Sequence, residues 1–212
     1  MVTPKLVLIP WDAESQAHRD WLVKQRVECG WHKEQVETKW KDQQLKGQKC
    51  IFWIEKLEDT ATTLNAVPRQ PTKESFFPIG HISLDSYNPE IEHLDLDIPS
   101  EGVFWIKTFF VSHKIQGQGI GRAAMDHVED MAAREPLLAK TLMLDTVQKD
   151  DQMREDFAIA TFGSVPKSTN QDWYDRRGYR LIETIQNFYG VADSTGKVWD
   201  IKTVFMRKDI AV

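Results

Sequence analysis

Cysteine is scarce in this sequence, which has only Cys29 and Cys50 among its 212 residues. The two do not form a Cys-x-x-Cys pair, the spacing typical of zinc and redox sites. The six histidines also lack the His-x-His and His-Glu-x-x-His spacings of metal enzymes. We therefore expect two free thiols, no disulfide and no metal cofactor.

The sequence also lacks an excess of basic charge and any long apolar run. Lys and Arg number 27 against 32 Asp and Glu, a formal net charge of −5, whereas a general nucleic-acid-binding protein needs a basic face. The apolar runs fall far short of the roughly 18 residues of a membrane-spanning helix, and the N-terminus does not read as a signal peptide. We expect no nucleic-acid partner, no membrane partner, and a location in the cytoplasm or the nucleus.

What is present is the composition of a folded globular protein. Hydrophobic residues make up 41% and charged residues 28% of the chain, a balance that excludes general disorder. The length favours one elaborated domain over residues 1–212. Two polar stretches without a clear period, residues 58–75 and 148–169, are predicted to be surface insertions.

The residue patterns predict a mixed α/β fold. Runs of β-branched and aromatic residues predict strands at 5–10, 49–57, 76–85, 103–111, 140–147, 179–188 and 197–208. Apolar residues at helical spacing, followed by a glycine or proline that ends the helix, predict helices at about 13–28, 33–46, 120–134 and 171–177. The first helix would have Asp12 or Ser15 as its N-cap and Ala17, Trp21, Val23 and Val27 as its apolar positions.

A glycine-rich turn, QGQGIGR over residues 116–122, lies between the strand at 103–111 and the helix that follows. The first N–H groups of a helix are unpaired and its dipole is positive there, so such a turn favours anions. Glycines also let the backbone approach a phosphate closely. The segment predicts a phosphate-binding turn, although three glycines before a helix can also form a tight turn without a ligand.

Other phosphate-binding patterns fit this turn less well. The dinucleotide fingerprint Gly-x-Gly-x-x-Gly fails from Gly117, because Arg122 stands at its last position. It is met from Gly119 only with Ala124 as a tolerated variant, and such turns normally follow the first strand of a domain. A Walker pattern fails because no Gly-Lys-Ser/Thr follows. A dinucleotide-dependent oxidoreductase stays open as an alternative.

Two segments resemble the signatures of the GNAT superfamily of N-acetyltransferases. Residues 111–122 resemble motif A, with Gln116, Gly119 and Gly121 in its Gln/Arg-x-x-Gly-x-Gly/Ala pattern. Residues 173–179 are similar to a second signature, Tyr-x-x-x-Gly-Phe, with Tyr174 first and Tyr179 in place of the Phe. The order of elements agrees in outline along the whole chain. The resemblance implies a central mixed, mostly antiparallel sheet of about seven strands with helices on both faces.

The resemblance implies direct acetyl transfer from acetyl-CoA to a primary amine of a small molecule or a peptide. A strand edge at Phe110 and Val111 would pair with the pantetheine arm. Asn170 would also contact that arm, although the family's Asn lies farther upstream, where Lys167 stands here. The backbone that would bind the pyrophosphate belongs to Gln116, Gly117, Gln118, Gly119, Ile120, Gly121 and Arg122. An amide of the strand would polarise the thioester carbonyl, like an oxyanion hole.

The catalytic residues are less completely specified. Tyr174 is expected to protonate the departing thiolate, since its reference pKa of ~10 lies near the ~8.5 of a thiol. Many relatives carry a Glu in the strand at 103–111, which here offers only Lys107. The general base is left open among Glu101, Asp145, Asp97 and His81, of which the first two are our choices.

The missing carboxylate keeps a second function open, that of a catalytically weak CoA-binding protein. The acidic loop before the strand at 103–111 favours a cationic acceptor. A polyamine, an amino sugar, a xenobiotic amine and a peptide amine all remain open as acceptors. The sequence does not choose between a monomer and a homodimer.

Overall fold

The computed structural model describes residues 6–56, 63–64, 67–68, 78–193 and 195–210. Contacts divide the chain into two compact units, Met1–Pro89 with Trp105–Leu138, and Glu90–Phe104 with Ala139–Val212. Helices and mostly antiparallel strands alternate along both, which confirms the predicted mixed α/β class. One domain over residues 1–212 stays a prediction.

The elements follow the order expected from the sequence patterns. In chain order they are β1 (Leu6–Pro10), α1 (Gln16–Cys29), a π-helical turn (Val36–Trp40), α2 (Lys41–Leu45), β2 (Ile51–Lys56), β3 (Thr63–Leu64), β4 (Val67–Pro68), β5 (Gly80–Asp85), β6 (Val103–Val111), α3 (Ile120–Ala133), β7 (Thr141–Val147), α4 (Lys149–Met153), α5 (Glu155–Phe162), α6 (Asn170–Asp175), β8 (Arg180–Gln186) and β9 (Lys202–Asp209).

In the first unit, four strands pair in the order β1, β2, β5, β6, and each pair is antiparallel. Side chains alternate between the two faces of a strand, so His81, Ser83 and Asp85 of β5 lie on one face. Ile82 and Leu84 lie on the other, and all five residues are buried. Both faces of β5 are therefore covered, and one of them is polar.

Helix α1 ends where the sequence predicts but turns a different face inward. Ser15 caps its first turn by accepting a hydrogen bond from the His18 N–H, and Gly30 closes it with φ of 84°. Its buried residues are Arg19, Leu22, Gln25 and Arg26, whereas Val27 is 56% exposed. The predicted apolar face is right only in part, since Trp21 and Val23 are half-buried against the hydrophobic core whereas Ala17 and Val27 are exposed. The polar face of β5 supplies partners for polar helix residues instead, as the contact between Gln25 and His81 shows.

The second predicted helix is two elements instead of one. A π-helical turn at Val36–Trp40 continues directly into α2. Val36 and Trp40 are buried in a hydrophobic cluster with Leu22 and Trp53. Leu45 is exposed, so α2 contributes little to this core.

A β-bulge interrupts the pairing of β5 with β6. His81 pairs with Phe110 and Ser83 pairs with Lys107, so two residues of β6, Thr108 and Phe109, face one residue of β5. Thr108 has a φ of 48°, a left-handed conformation that a β-branched residue rarely adopts. Bulges bend a strand and redirect its side chains, so β6 changes direction in its second half.

Gly80 is required where β5 passes this bent strand. A Cβ at position 80 would lie 2.2 Å from the Phe110 carbonyl oxygen and 3.1 Å from the Val111 Cα. Gly80→Ala is expected to lower the free energy of unfolding by about 1–3 kcal/mol, because the two backbones must separate. Urea denaturation measures this, with Gly121→Ala as the control, since its Cβ meets only a Phe109 ring carbon at 3.5 Å. Equal midpoints for the two variants would contradict the close approach.

In the second unit, three strands pair antiparallel in the order β7, β9, β8. The segment 148–169, predicted as a surface insertion, contains α4 and α5. Phe157 and Ala158 of α5 are fully buried, and the Phe157 ring lies 5.5 Å from that of Trp199. This segment therefore contributes to the core of its unit, and its helices are too short to show a clear period.

The other predicted insertion, residues 58–75, lies outside the described residues except for the short strands β3 and β4. These two strands pair with each other as a small antiparallel hairpin, with Leu64 opposite Val67.

Candidate functional site

The glycine-rich turn after β6 leads into α3, whose first backbone N–H groups have no partner within the helix. Gly117 and Gly119 have φ of 80° and 82°, which glycine adopts without strain. Gly119 is the N-cap of α3, and no described side chain caps this helix. The Ala123 N–H donates to the Gly119 carbonyl, so the N–H groups of residues 120–122 precede the helical hydrogen bonds.

Most residues of the turn are exposed to solvent. A Cβ built at Gly117 would meet no described atom within 4 Å. Ile120 is buried and anchors the first turn of α3. The exposed residues are Gln116, Gly117, Gln118, Gly119 and Arg122. Free N–H groups, a helix dipole and the Arg122 guanidinium together suit a phosphate group.

Glu28, in the last turn of α1, holds the beginning of this turn. Its Oε1 accepts hydrogen bonds from the Ser112 hydroxyl at 2.7 Å and from the His113 N–H at 3.0 Å. The Gln116 side chain donates to the Val111 carbonyl at 2.9 Å, which closes the turn onto the end of β6. No sequence pattern points to Glu28, because it lies 84 residues before Ser112.

Phe110 and Val111, the residues expected to contact pantetheine, end β6 and are buried. The Phe110 ring lies 5.6 Å from the ring of His81 and 5.6 Å from that of His113. The side chains of Phe110 and Val111 are therefore occupied by packing in the first unit. A ligand would contact the backbone groups of these two residues.

Tyr174 lies in α6 of the second unit and is buried. Burial raises the pKa of its phenol, the Asp145 charge raises it further, and Arg177 opposes both. Its ring packs against those of Trp173 and Tyr179, with centroids 5.0 and 5.8 Å away. A phenol is protonated at neutral pH already at its ordinary pKa of ~10, and the raised pKa makes this one a weaker proton donor to a thiolate than an unperturbed tyrosine.

Asp145, on β7, shares a partner with another carboxylate. Its Oδ2 accepts a hydrogen bond from the Tyr189 hydroxyl at 2.8 Å, and that hydroxyl lies 3.3 Å from Glu90 Oε2. Two carboxylates therefore meet at one phenol in the second unit. Sequence spacing does not reveal this cluster, because Tyr189 lies 99 residues after Glu90.

Three other residues that the sequence predicts for the site, Glu101, Asp97 and Asn170, lie at the surface. Glu101 and Asp97 are exposed, and Asp97 contacts Arg207, whose guanidinium lies 3.6 Å from its carboxylate. Asn170 is exposed at the start of α6, where its N–H donates to Gln152 Oε1 at 2.8 Å.

His81 is fully buried, and both of its ring nitrogens are occupied. Nδ1 lies 2.6 Å from Gln25 Oε1, and Nε2 lies 3.4 Å from Arg26 Nη1. Burial and the charges of Arg26 and Lys49 lower the pKa of His81 well below its ordinary value. The neutral ring holds α1 against β5, which leaves no nitrogen for a substrate proton.

The described parts of the chain contain neither a metal-binding cluster nor a membrane-spanning helix. No group of three or more His, Cys, Asp or Glu residues there could hold a metal ion. Cys29 and Cys50 are free, and burial raises the pKa of both thiols. Within the same ranges, no helix has the length and apolar character needed to cross a bilayer.

Comparison with solved structures shows which proteins share this fold. The aminoglycoside 6′-N-acetyltransferase of Enterococcus faecium is 15% identical, with a TM-score of 0.57 and coverage of 97% of this chain and 98% of that one. Arabidopsis thaliana NAA60 in complex with a bisubstrate analogue is 15% identical, with a TM-score of 0.58 and coverage of 98% and 100%. A GNAT family acetyltransferase from Elizabethkingia anophelis with acetyl-CoA bound is 17% identical, with a TM-score of 0.54 and coverage of 97% and 98%.

Sequence comparison identifies the family of this chain. No curated protein sequence matches the chain significantly. The profile of the acetyltransferase (GNAT) family, however, matches residues 16–162, which include α1, the bulged strand β6 and the turn before α3. With that match over most of the chain, and the fold shared along its whole length, this protein belongs to the GNAT family of acetyltransferases.

Proposed function

We propose that this acetyltransferase moves an acetyl group from acetyl-CoA directly to a primary amine of a cationic acceptor. The observation that carries the proposal is the start of α3, which no described side chain caps and which follows two left-handed glycines, Gly117 and Gly119. Exposed N–H groups at a helix start bind a pyrophosphate well, because the ligand meets both hydrogen-bond donors and the positive end of the dipole.

Acetyl-CoA, when bound, supplies an acetyl thioester as the activated group. The backbone of Gln116–Arg122 would bind its pyrophosphate, and the Arg122 side chain would add one positive charge. Backbone groups at Phe110 and Val111 would pair with the pantetheine arm, because their side chains are buried in packing. Tyr174 would donate its phenolic proton to the departing sulfur, and the acceptor amine must be neutral when it attacks.

Charge supports a cationic acceptor. Glu90 and Asp145 meet at the Tyr189 hydroxyl, and the chain as a whole carries a net charge of −5. Negative groups of this kind attract an ammonium-bearing molecule. The fold is shared about equally with an aminoglycoside 6′-N-acetyltransferase and with NAA60, so the preference for a small polycationic acceptor rests on these charges.

Thermal unfolding with acetyl-CoA, CoA, NAD and NADP tests the co-substrate. A ligand at about 100 times its Kd adds ~2.7 kcal/mol to the native state, so we expect stabilisation by acetyl-CoA and CoA only. Gly119→Asp and Gly119→Asn are a matched pair that differs only in charge. The Asp variant should lose most of the CoA shift through repulsion, and the Asn variant should lose less. Stabilisation by NAD or NADP alone would overturn the proposal in favour of a dinucleotide enzyme.

Release of free CoA thiol in the presence of different amines tests the acceptor. The panel consists of an aminoglycoside, spermidine, a lysine peptide and a peptide with a free N-terminus. We expect release with the aminoglycoside and with spermidine. Release with the peptides alone would contradict the cationic small-molecule acceptor. Binding of CoA without release for any amine would identify a catalytically weak CoA-binding protein.

Glu28 is predicted to act on co-substrate binding through the turn. Glu28→Ala should raise the KM for acetyl-CoA about tenfold, equal to ~1.4 kcal/mol, because Ser112 and His113 lose their acceptor. Glu28→Gln keeps an acceptor oxygen and should raise this KM less. Steady-state kinetics with saturating amine measures both variants, and kcat should change little. An unchanged KM in the Ala variant would show that the turn holds its shape without this contact.

A further inference from the structure

Two buried glutamines connect the short helices α4 and α6 of the second unit. Oε1 of Gln152, on α4, accepts a hydrogen bond at 2.8 Å from the N–H of Asn170, which begins α6. Oε1 of Gln171, on α6, accepts one at 2.9 Å from the N–H of Lys149, which begins α4. The two glutamines are only 5% and 6% exposed. Each helix therefore supplies a buried acceptor to the first N–H of the other.

These two bonds complete the helix ends that the local caps leave open. A helix has no internal partners for its first N–H groups. Thr169 caps α6 by accepting from the Asp172 N–H, and Gln148 caps α4 in a similar way. The caps serve later N–H groups, whereas the glutamines serve the first. Helices of five and six residues are not stable alone in water, so their positions depend on such contacts.

Helix α4 is in turn attached to β9. The Gln148 N–H donates to the Lys202 carbonyl at 2.9 Å, and the Lys202 N–H donates to Asp151 Oδ2 at 2.7 Å. Arg154 Nη1 donates to the Asp200 carbonyl, just before β9, at 3.1 Å. Strand β9 pairs with both β7 and β8 and is the central strand of this unit. Helix α4 therefore links the central strand to α6.

Tyr174 lies one helical turn after the residues that the glutamine bonds hold. It follows Asn170 by four positions and Gln171 by three, and residues at these spacings share one face of a helix. Gln171 and Tyr174 are the buried residues of α6. A shift of the first turn of α6 would therefore move the phenol. Misplacement of a catalytic group by about 1 Å can cost about 100-fold in rate.

We propose that Gln152 and Gln171 are positioning residues, which place the Tyr174 hydroxyl for proton donation to the departing thiolate. The proposal rests on the function proposed above, in which Tyr174 is the general acid. Both glutamines act through α6, so their effect belongs to the chemical step and not to the binding of acetyl-CoA. The segment 148–169 thereby gains a role in catalysis, because its first helix carries one of the two glutamines.

Gln152→Met and Gln152→Glu form the matched test, because methionine keeps the length of glutamine without its amide and glutamate keeps an acceptor oxygen. With acetyl-CoA and an accepted amine, Gln152→Met should lower kcat about tenfold and leave the KM for acetyl-CoA unchanged. Gln152→Glu should retain more of the wild-type kcat. Gln171→Met breaks the other bond and should cause a similar loss. The control is Gln186→Met, at an exposed position of β8, which should retain the wild-type kcat.

A double variant with Tyr174→Phe separates positioning of the phenol from a general structural effect. Without the phenol hydroxyl there is nothing left for the glutamine to position. Gln152→Met combined with Tyr174→Phe should therefore have the same kcat as Tyr174→Phe alone. Additive losses would overturn the proposal, because they would show that Gln152 acts on something other than this hydroxyl.

Two further outcomes distinguish this proposal from the proposed function. Wild-type kcat in both Gln152→Met and Gln171→Met would exclude the positioning role and leave acetyl transfer intact. If thermal unfolding shows that Gln152→Met does not fold, Gln171→Met provides the same test through the other bond. Absence of acetyl transfer by the wild-type protein to any amine would overturn the proposed function and the positioning role with it.

Discussion

Replacing Lys49 with methionine is expected to lower the free energy of unfolding by about 3–5 kcal/mol, because it leaves Asp85 without its counter-charge in the protein interior. Nζ and Oδ2 are 2.6 Å apart, and the two side chains are only 5% and 6% exposed. Burial raises the pKa of Asp85, so the unpaired carboxyl should take up a proton as the pH falls. The loss in Lys49→Met should therefore be largest at neutral pH and smaller in acid.

Urea denaturation at several pH values measures this loss. The double variant Lys49→Met with Asp85→Leu removes both charges and should recover most of the stability, since apolar replacement of a buried pair is often neutral or better. Arg134→Met is the control, because its ion pair with Asp130 is 72% and 50% exposed and should contribute about 0.5 kcal/mol or less. A loss in Lys49→Met no larger than that of the control would contradict a buried, interacting pair.

Tyr174→Phe is expected to lower kcat about 100-fold at saturating substrates, because general acid catalysis contributes roughly 10²- to 10⁴-fold. The phenol is buried and, like any tyrosine, protonated at neutral pH, so wild-type Tyr174 has a proton to give to the departing sulfur. Phenylalanine keeps the ring that packs against Trp173 and Tyr179. The Kd of CoA and the thermal unfolding temperature should therefore change little.

Steady-state release of CoA thiol measures this variant, with Tyr179→Phe as its control. Tyr179 is buried beside Tyr174, in the same packing environment, and no catalytic role falls to it. Tyr179→Phe should retain most of the wild-type kcat. Equal kcat values for Tyr174→Phe and the wild-type protein would exclude Tyr174 as the acid, and equal losses in both variants would indicate a structural effect.

Local signals in the sequence were sufficient for the elements on either side of the glycine-rich turn. The bounds of β6 agree with the predicted 103–111, and α3 ends within one residue of the predicted 120–134. A run of β-branched and aromatic residues, a glycine turn and a 3.6-residue period each act over a few residues. The family also follows from such short-range patterns, since Gln116, Gly119 and Gly121 lie within six residues of one another.

The inward face of α1 depended on a partner far away in the chain. Periodicity indicates Trp21 and Val27, yet the helix buries Gln25 and Arg26. These two side chains contact His81, 56 and 55 residues farther along the sequence. A buried polar group is stable only when its hydrogen bonds are made, and no window of sequence shows whether they are.

The sequence by itself determined the mixed α/β class, the family and the glycine-rich turn between β6 and α3, because local propensity and short motifs specify each of them. Tertiary structure alone decided which distant side chains meet. Glu28 reaches the turn from α1, Tyr189 joins Glu90 to Asp145, and Lys49 joins Ser83 to Asp85. These contacts form only when strands and helices separated by tens of residues pack together, since hydrogen bonds and ion pairs depend on distances of a few ångströms in space.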